Sequence, residues 1–222
     1  MHPLARHRHW VFDLDGTLTL AVHDFALIRR ELGIPVEQDI LGHLAALPAA
    51  DAAAKRAWLL AHERELADAS VAAPGAVDLL RALHARGCAL GLLTRNDHAL
   101  ARVTLAEIGV ADLFEDAAIL GRDEATPKPD PAGLRLHAAR WAVPPGELVM
   151  VGDHGYDLQA GRAAGATTVF VGARNEWPEL SDHAFTDCGA LLAALLQEHQ
   201  TKKAAPSRGG LGYHSGNRPY SE

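Results

Sequence analysis

The sequence predicts an α/β fold, with a parallel sheet flanked by helices and a small helical insert after the first strand. Short apolar runs alternate with helical patterns along the chain, as expected when crossover helices join parallel strands. A chain of 222 residues with 48% hydrophobic content is long enough to bury a substantial core. A strandless stretch breaks the alternation after the first apolar run and indicates the insert.

Five apolar runs have the length and composition of buried strands. The first covers residues 10–14 and ends in Asp15-Gly16-Thr17, where glycine permits a tight turn. The other four cover residues 89–93, 117–120, 148–151 and 167–171. Because these strands would lie parallel with helices between them, the sequence predicts a Rossmann-like sheet.

Capping residues mark the helices that connect the strands. Asn96 or Asp97 can cap one helix, and Asp130-Pro131 places a carboxylate before a proline at the first helical position. Gly87 can end the helix that opens after residue 74. Helices are therefore predicted within residues 74–87, 97–109, 131–141 and 155–165.

The insert is predicted to span residues 19–73, where apolar residues recur at helical spacing and no run reads as a strand. We expect it to form a cap domain over the carboxyl ends of the strands, where open parallel sheets bind ligands. The α/β core domain would then comprise residues 1–18 and 74–198. Residues 199–222 are rich in Gly, Ser and Pro, which predicts a flexible tail.

The composition excludes several classes of partner and location. A net charge of −7 and a pI near 6.0 predict no nucleic-acid or membrane binding. Cys88 and Cys188 lack the spacing of a disulfide framework or a zinc site, so a cytoplasmic setting is expected. No apolar run is long enough for a membrane span, residues 1–9 lack an apolar signal core, and no obligate protein partner is evident.

Two carboxylates end the first strand. Asp13 and Asp15 are two positions apart, so on a strand their side chains share a face. Clustered carboxylates are costly unless a cation or proton compensates them, which favours a divalent metal. Taken alone, the pair is equally consistent with an acidic turn or a helix cap.

A second acidic segment, Gly152-Asp153-His154-Gly155-Tyr156-Asp157, follows the fourth apolar run. Because parallel strands end at one edge of a sheet, Asp13, Asp15 and Asp153 are predicted to surround one Mg²⁺ ion. Asp157 would support that shell or anchor Lys128. The motif on its own could simply cap a helix.

Candidate phosphate-binding groups occur in two further loops. Thr94-Arg95-Asn96 offers a hydroxyl and backbone amides near a helix amino terminus, where anions are favoured. Lys128 lies in a proline-stiffened loop that can aim its ammonium group at the acidic cluster. Without the acidic cluster, the first segment would indicate only helix capping and the lysine would be an ordinary surface residue.

These segments together resemble a known family. The haloacid dehalogenase (HAD) superfamily has four motifs, which are similar in order to Asp13-Leu14-Asp15-Gly16-Thr17, Thr94, Lys128-Pro129 and Gly152-Asp153 with Asp157. The resemblance extends from residue 10 to about residue 196. The position of the insert resembles the helical-cap subgroup that includes phosphoglycolate phosphatase and β-phosphoglucomutase.

The resemblance implies a role for each matched residue. Asp13 would be the nucleophile that forms an aspartyl phosphate, and Asp15 would be the general acid and base. Mg²⁺ would be bound by the carboxylates of Asp13 and Asp153 and by the backbone carbonyl of Asp15. Thr94, with a neighbouring amide, and Lys128 would position and neutralise the transferring phosphoryl group. The implied activity is hydrolysis of a small phosphorylated metabolite, phosphoglycolate-like or a sugar phosphate.

Other activities of the same family are weighed against these residues. Haloacid dehalogenation is disfavoured because it needs no leaving-group acid, whereas Asp15 is present. A phosphonatase needs a cap lysine for an imine, and Lys55 is more simply explained as part of a solvated helix face. A sugar phosphomutase remains open, because Arg29, Arg30, Lys55 and Arg56 could hold a second phosphate.

A rival of another class is a noncatalytic regulatory module with the same fold. Loss of an active-site carboxylate or of Lys128 would indicate it, and all of these residues are present. His23 and Asp24 stand near the mouth of the predicted site and could contact substrate. Asp24 can equally cap the first helix of the insert.

Overall fold

The computed structural model describes residues 2–22 and 24–197, whose strands form one six-stranded sheet. The strands are β1 (His9–Phe12), β2 (Ala89–Leu93), β3 (Ile119–Leu120), β4 (Leu148–Gly152), β5 (Thr167–Val171) and β6 (His183–Phe185). All pairs are parallel, in the order β3-β2-β1-β4-β5-β6. The α/β class and the parallel sheet are therefore confirmed. The tail and His23 lie outside the described residues.

Eight α-helices occur in the part of the chain that the structure describes. Three belong to the insert after β1: α1 (Phe25–Leu32), α2 (Ile40–Ala46) and α3 (Ala49–Asp68). The others are α4 (Ala76–Ala85), α5 (His98–Glu107), α6 (Ala132–Arg140), α7 (Gly155–Ala164) and α8 (Cys188–Leu196). Along residues 2–22 and 24–197, none of these helices combines the length and hydrophobicity of a membrane span.

The sheet is covered on both faces because side chains alternate along each strand. Trp10 and Phe12 of β1 point into the larger cluster, which contains the apolar residues of α4, α5 and α8. Val11 points into the opposite cluster, with residues of α6 and α7. Burial on both faces explains why the central strands read as continuous apolar runs.

The buried imidazole of His137 joins α6 to β2. Its Nε2 donates a hydrogen bond to the carbonyl of Leu92 over 3.0 Å, while Nδ1 makes no hydrogen bond. A Cβ on Gly91 would lie 2.6 Å from the His137 ring, so only glycine lets the helix approach this closely. Burial lowers the pKa of His137 to about 4, against the opposing effect of the Leu92 carbonyl.

Two predicted strands differ from the observed ones, and one observed strand was not predicted. β1 ends at Phe12 rather than at residue 14, because Leu18 and Thr19 both donate to the Leu14 carbonyl and form a turn there. β3 is only two residues long, since residues 116–118 form a 3₁₀ turn. β6 was not predicted, because a three-residue, partly exposed edge strand leaves no apolar run in the sequence.

Pro131 is the N-cap residue of α6 rather than its first helical residue. Asp130 therefore precedes the N-cap residue, and its Oδ1 accepts a hydrogen bond from the Ala132 amide over 2.8 Å. Of the two predicted capping residues of α5, Asp97 and not Asn96 is the N-cap. Its carboxylate accepts hydrogen bonds from two backbone amides at the start of the helix.

The insert packs around its own apolar cluster. That cluster contains Ile28, Leu32, Ile34, Ile40, Leu44 and Leu59. The two chain segments that connect the insert to the core are hydrogen-bonded to each other. The Leu20 amide donates to the Val71 carbonyl and the Ala73 amide donates to the Leu18 carbonyl, each over 2.9 Å. The Leu27 amide donates to Asp24 Oδ1 over 2.9 Å, so Asp24 caps α1. The domain boundaries at residues 19 and 73 stay a prediction.

Candidate active site

The register of the central strands aligns three of the predicted loops. Phe12 at the end of β1 lies opposite Leu92 of β2 and Val151 of β4. Each strand therefore leaves the sheet at the same level, and Asp13, Thr94 and Asp153 follow within two residues. This edge is also where the strand order reverses, which is where open α/β sheets bind ligands.

Three carboxylates cluster at this edge. One oxygen from each of Asp13, Asp153 and Asp157 lies within 4.8 Å of the others. Thr17 Oγ1 donates a hydrogen bond to Asp153 Oδ1 over 2.8 Å. Gly16 has a φ of +89°, and a Cβ there would lie 2.3 Å from Asp153 Oδ2. Glycine at position 16 is therefore required both by the turn and by the neighbouring carboxylate.

Lys128 lies against the cluster and is 3% exposed. Its ammonium group forms ion pairs with Asp13 and, over 2.6 Å, with Asp157. Burial by itself would lower the pKa of Lys128, but the two carboxylates outweigh it and the pKa is raised. Asp157 also accepts a hydrogen bond from the His154 amide over 3.0 Å, so it anchors Lys128 and stands within the acidic cluster.

The cluster carries more negative than positive charge. With all three carboxylates ionised, the single ammonium group leaves two negative charges uncompensated. Burial, followed by the charges of Asp13 and Asp157, raises the pKa of Asp153 to about 7. A divalent cation with oxygen ligands would remove this excess, so the donor set fits Mg²⁺. The carboxyl group of Asp15 lies outside the three-carboxylate cluster. The predicted Mg²⁺ ligand at this residue is its backbone carbonyl oxygen.

The Asp15 carboxyl group lies beside this cluster. Burial raises its pKa to about 7, with further contributions from the charges of Asp13 and Glu63. The charge of Lys128 and a hydrogen bond from the Asn96 side chain both lower the pKa of Asp15. A carboxyl group in this state can both give and take a proton near neutral pH.

The loop after β2 holds the predicted phosphate-binding residues in different ways. Thr94 is buried, and its Oγ1 accepts a hydrogen bond from the Asn96 amide over 3.1 Å. Arg95 lines the cavity, but its guanidinium forms an ion pair with Asp39 of the insert and lies 4.9 Å from the ring centre of Tyr156. The structure thus places Arg95 as a link between core and insert.

A cavity of about 330 Å³ opens between these loops and the insert. Its wall combines the acidic cluster with apolar residues of the insert, Phe25, Ile28, Ile40, Leu41 and Leu59. Arg29 of α1 also lines it, and the buried Nε of Arg29 makes no hydrogen bond. The volume suits a small ligand with one charged end at the carboxylates.

The other cationic residues of the insert make contacts elsewhere. Arg30 pairs with its neighbour Glu31, Lys55 donates to the Leu32 carbonyl and Arg56 donates to the Leu44 carbonyl. Of the four cations considered for a second phosphate, Arg29 is therefore the one that the structure places at the cavity wall.

Sequence reasoning missed a buried ion pair between insert and core. Glu63 of α3 is 7% exposed and receives both its hydrogen bonds from Arg122, which follows β3. A signal was present, because Glu63 lies four residues after Leu59 and four before Ala67 on the buried face of α3. A charge on that face must have a partner.

The chain is similar to proteins of one family. The haloacid dehalogenase-like hydrolase family model matches residues 7–165. A phosphoglycolate phosphatase from Rhodospirillum rubrum is 37% identical over 72% of this chain and 78% of its own length. Another from Chromobacterium violaceum is 31% identical over 72% of this chain and 83% of its own. A solved hydrolase from Pseudomonas syringae has the same fold, with a TM-score of 0.71, 24% identity and coverage of 86% and 99%.

Proposed function

The chain belongs to the haloacid dehalogenase-like hydrolase family, and on this premise we propose that it is a magnesium-dependent phosphatase acting through an aspartyl phosphate. The family and its phosphoglycolate phosphatase members make the chain a phosphoric monoester hydrolase. The observation that carries the mechanism is the position of Asp13. This carboxylate is 7% exposed and paired with Lys128, and it opens onto the cavity beside Asp15.

In the first step Asp13 attacks the phosphorus atom and the bond to the leaving oxygen breaks. Asp15 donates its proton to that oxygen, so the product leaves as a neutral alcohol. Lys128 stays beside Asp13 and offsets negative charge on the transferring group. Thr94, with a neighbouring amide, holds the phosphoryl oxygens.

In the second step water attacks the phosphorus of the aspartyl phosphate. Asp15, now a carboxylate, takes a proton from this water, and inorganic phosphate and the free Asp13 carboxylate are released. Burial raises the pKa of Asp15, which suits a group that must be an acid and then a base. Dividing one displacement in two lowers the barrier of each part.

The carboxylates of Asp13 and Asp153 and the Asp15 carbonyl would hold Mg²⁺, which neutralises phosphate charge when bound. Asp157 supports this set while it anchors Lys128. The two uncompensated negative charges of the cluster support the assignment.

The substrate we propose is a small phosphorylated metabolite, phosphoglycolate-like or a sugar phosphate. The cavity of about 330 Å³ supports this size. Arg29 would meet the part of the leaving group that lies farthest from phosphorus, because it stands on the insert side of the cavity. A phosphomutase would need more cationic residues there than Arg29 alone, so hydrolysis is favoured.

Phosphate release tests this proposal. Wild type should release phosphate from at least one ester in a panel of 2-phosphoglycolate, sugar phosphates, nucleotides and p-nitrophenyl phosphate, and only when Mg²⁺ is present. Asp13→Asn should abolish release while the thermal unfolding transition is retained. Asp112→Asn, the same change at an exposed position, is the matched control and should be fully active.

Wild type that releases no phosphate from any member of the panel would refute the proposal. Activity in Asp13→Asn comparable with the control would refute the assigned nucleophile. A sugar monophosphate that isomerises with catalytic bisphosphate and yields no free phosphate would establish the mutase instead.

A further inference from the structure

We propose that Glu63 of α3 is a positioning residue for Asp15, acting across the interface between insert and core through Arg122 and Asn96. The inference rests on the role proposed above for Asp15 as general acid. It assigns to the insert a part in proton transfer, in addition to forming one wall of the cavity.

The first link is the ion pair between Glu63 and Arg122. One terminal nitrogen of the Arg122 guanidinium donates to both carboxylate oxygens of Glu63, over 2.8 and 2.9 Å. The two side chains are only 9% and 15% exposed, so water compensates little of either charge. Removing one partner leaves the other buried and unpaired. The pair is therefore satisfied only when α3 rests on the core.

The second link is a backbone contact. The Arg122 amide donates to the Asn96 carbonyl over 3.0 Å. The adjacent Gly121 has no room for a side chain, because a Cβ there would lie 2.8 Å from the same carbonyl oxygen. The segment that carries Arg122 thus lies directly against the loop that carries Asn96.

The third link fixes the direction of the Asn96 side chain, which is 6% exposed. Its Oδ1 accepts a hydrogen bond from the Asp97 amide over 2.8 Å. With the oxygen used in this way, the NH₂ group is turned toward Asp15 and donates to its carboxyl group. The orientation of the Asp15 carboxyl therefore depends on where the loop at Asn96 lies.

These links predict a particular defect when the ion pair is broken. The cavity and its carboxylates would remain, but the Asn96 amide group would no longer be held in place against Asp15. Transfer of a proton to the leaving oxygen would suffer, whereas attack by Asp13 would not. A substrate whose leaving group needs no proton would form the aspartyl phosphate almost as before, whereas the second step, which uses Asp15 as a base, is the same for all substrates.

Leaving-group dependence is the test. We would compare kcat/KM, which reports only the steps up to formation of the aspartyl phosphate, for p-nitrophenyl phosphate, whose leaving group is stable as an anion, and for the best alkyl phosphate of the panel. General acid catalysis contributes about 10²–10⁴-fold. Glu63→Gln should lower kcat/KM for the alkyl ester at least about tenfold and for the nitrophenyl ester less than about threefold. Glu65→Gln, the same change at an exposed position two residues along α3, should alter neither.

Arg122→Gln breaks the pair from the other side and provides a second variant should Glu63→Gln fold poorly. It should show the same preference for the nitrophenyl ester, and Arg122→Lys should restore part of the alkyl activity. Equal losses of kcat/KM for both esters, or no loss for either, would overturn the inference and leave the phosphatase proposal intact. If the wild-type protein is inactive on both esters, the proposed function is refuted, and this inference is refuted with it.

Discussion

Replacement of Gly16 by alanine tests how tightly the acidic cluster is built. A Cβ at this position would lie 2.3 Å from Asp153 Oδ2 and 2.8 Å from Asp153 Cγ, and real Cβ contacts do not fall below 3.0 Å. Because both the tip and the Cγ atom are too close, rotation of the carboxylate does not relieve the contact. Asp153 must retreat by about 0.7 Å or more, which would disturb its hydrogen bond with Thr17.

The size of the effect follows from this displacement. A misplacement of about 1 Å at a reacting centre can cost about 10²-fold in rate. We therefore expect Gly16→Ala to lower kcat by about 10- to 100-fold and to raise the Mg²⁺ concentration needed for half-maximal activity. Alanine at a φ of +89° also strains the backbone, which should destabilise the fold by about 1–3 kcal/mol.

Gly165→Ala separates backbone strain from the steric contact with Asp153. Gly165 has a φ of +83°, yet a Cβ there would meet nothing within 4 Å. Both variants should unfold at a temperature lower by roughly 2–4 °C for each kcal/mol lost, but only Gly16→Ala should lose activity. The assay is phosphate release across a Mg²⁺ titration, beside thermal unfolding followed by circular dichroism. If kcat of Gly16→Ala stays within about threefold of the control, the steric argument is wrong.

Three further predictions concern charge. Lys128→Met should remove activity and lower the free energy of unfolding by about 3–5 kcal/mol in urea titrations, because its two carboxylate partners stay buried; an unchanged transition would contradict this. Arg29→Ala should raise KM about tenfold for esters whose leaving alcohol is anionic and should leave KM for p-nitrophenyl phosphate unchanged, whereas equal changes would place Arg29 outside the recognition site. His137 has a folded-state pKa of about 4, below its ordinary 6.5, so the stability it confers is complete above pH 6.5 and is lost as pH falls toward 4. The loss is about 3 kcal/mol, and His137→Gln should flatten the acid side of the stability–pH curve; an unaltered curve would assign the acid sensitivity to other groups.

Much of the fold was predictable because its signals are local. Strand runs, glycines and capping carboxylates act within a few residues, and they placed β2 and β5 at their observed bounds. β6 escaped prediction because an edge strand of three residues is defined by its partner β5, with no apolar run of its own.

The site residues also separate into those that the sequence predicts and contacts that only the structure gives. Asp13, Asp15 and Asp153 could be selected from the sequence, since clustered carboxylates at strand ends need a cation wherever the ends meet. The bond between Asp157 and Lys128 remained one of two alternatives, because a sequence does not tell which carboxylate an ammonium group will reach. The structure places them 2.6 Å apart.

By itself the sequence determined the α/β class, the order of the strand-end motifs and the residue types that phosphoryl transfer needs. Only the tertiary structure decided that Arg95 turns to Asp39 and that Glu63 is paired with Arg122. These contacts join residues more than fifty positions apart, on the insert and on the core. Their geometry depends on how two separately folded surfaces meet, and local sequence patterns do not encode that packing.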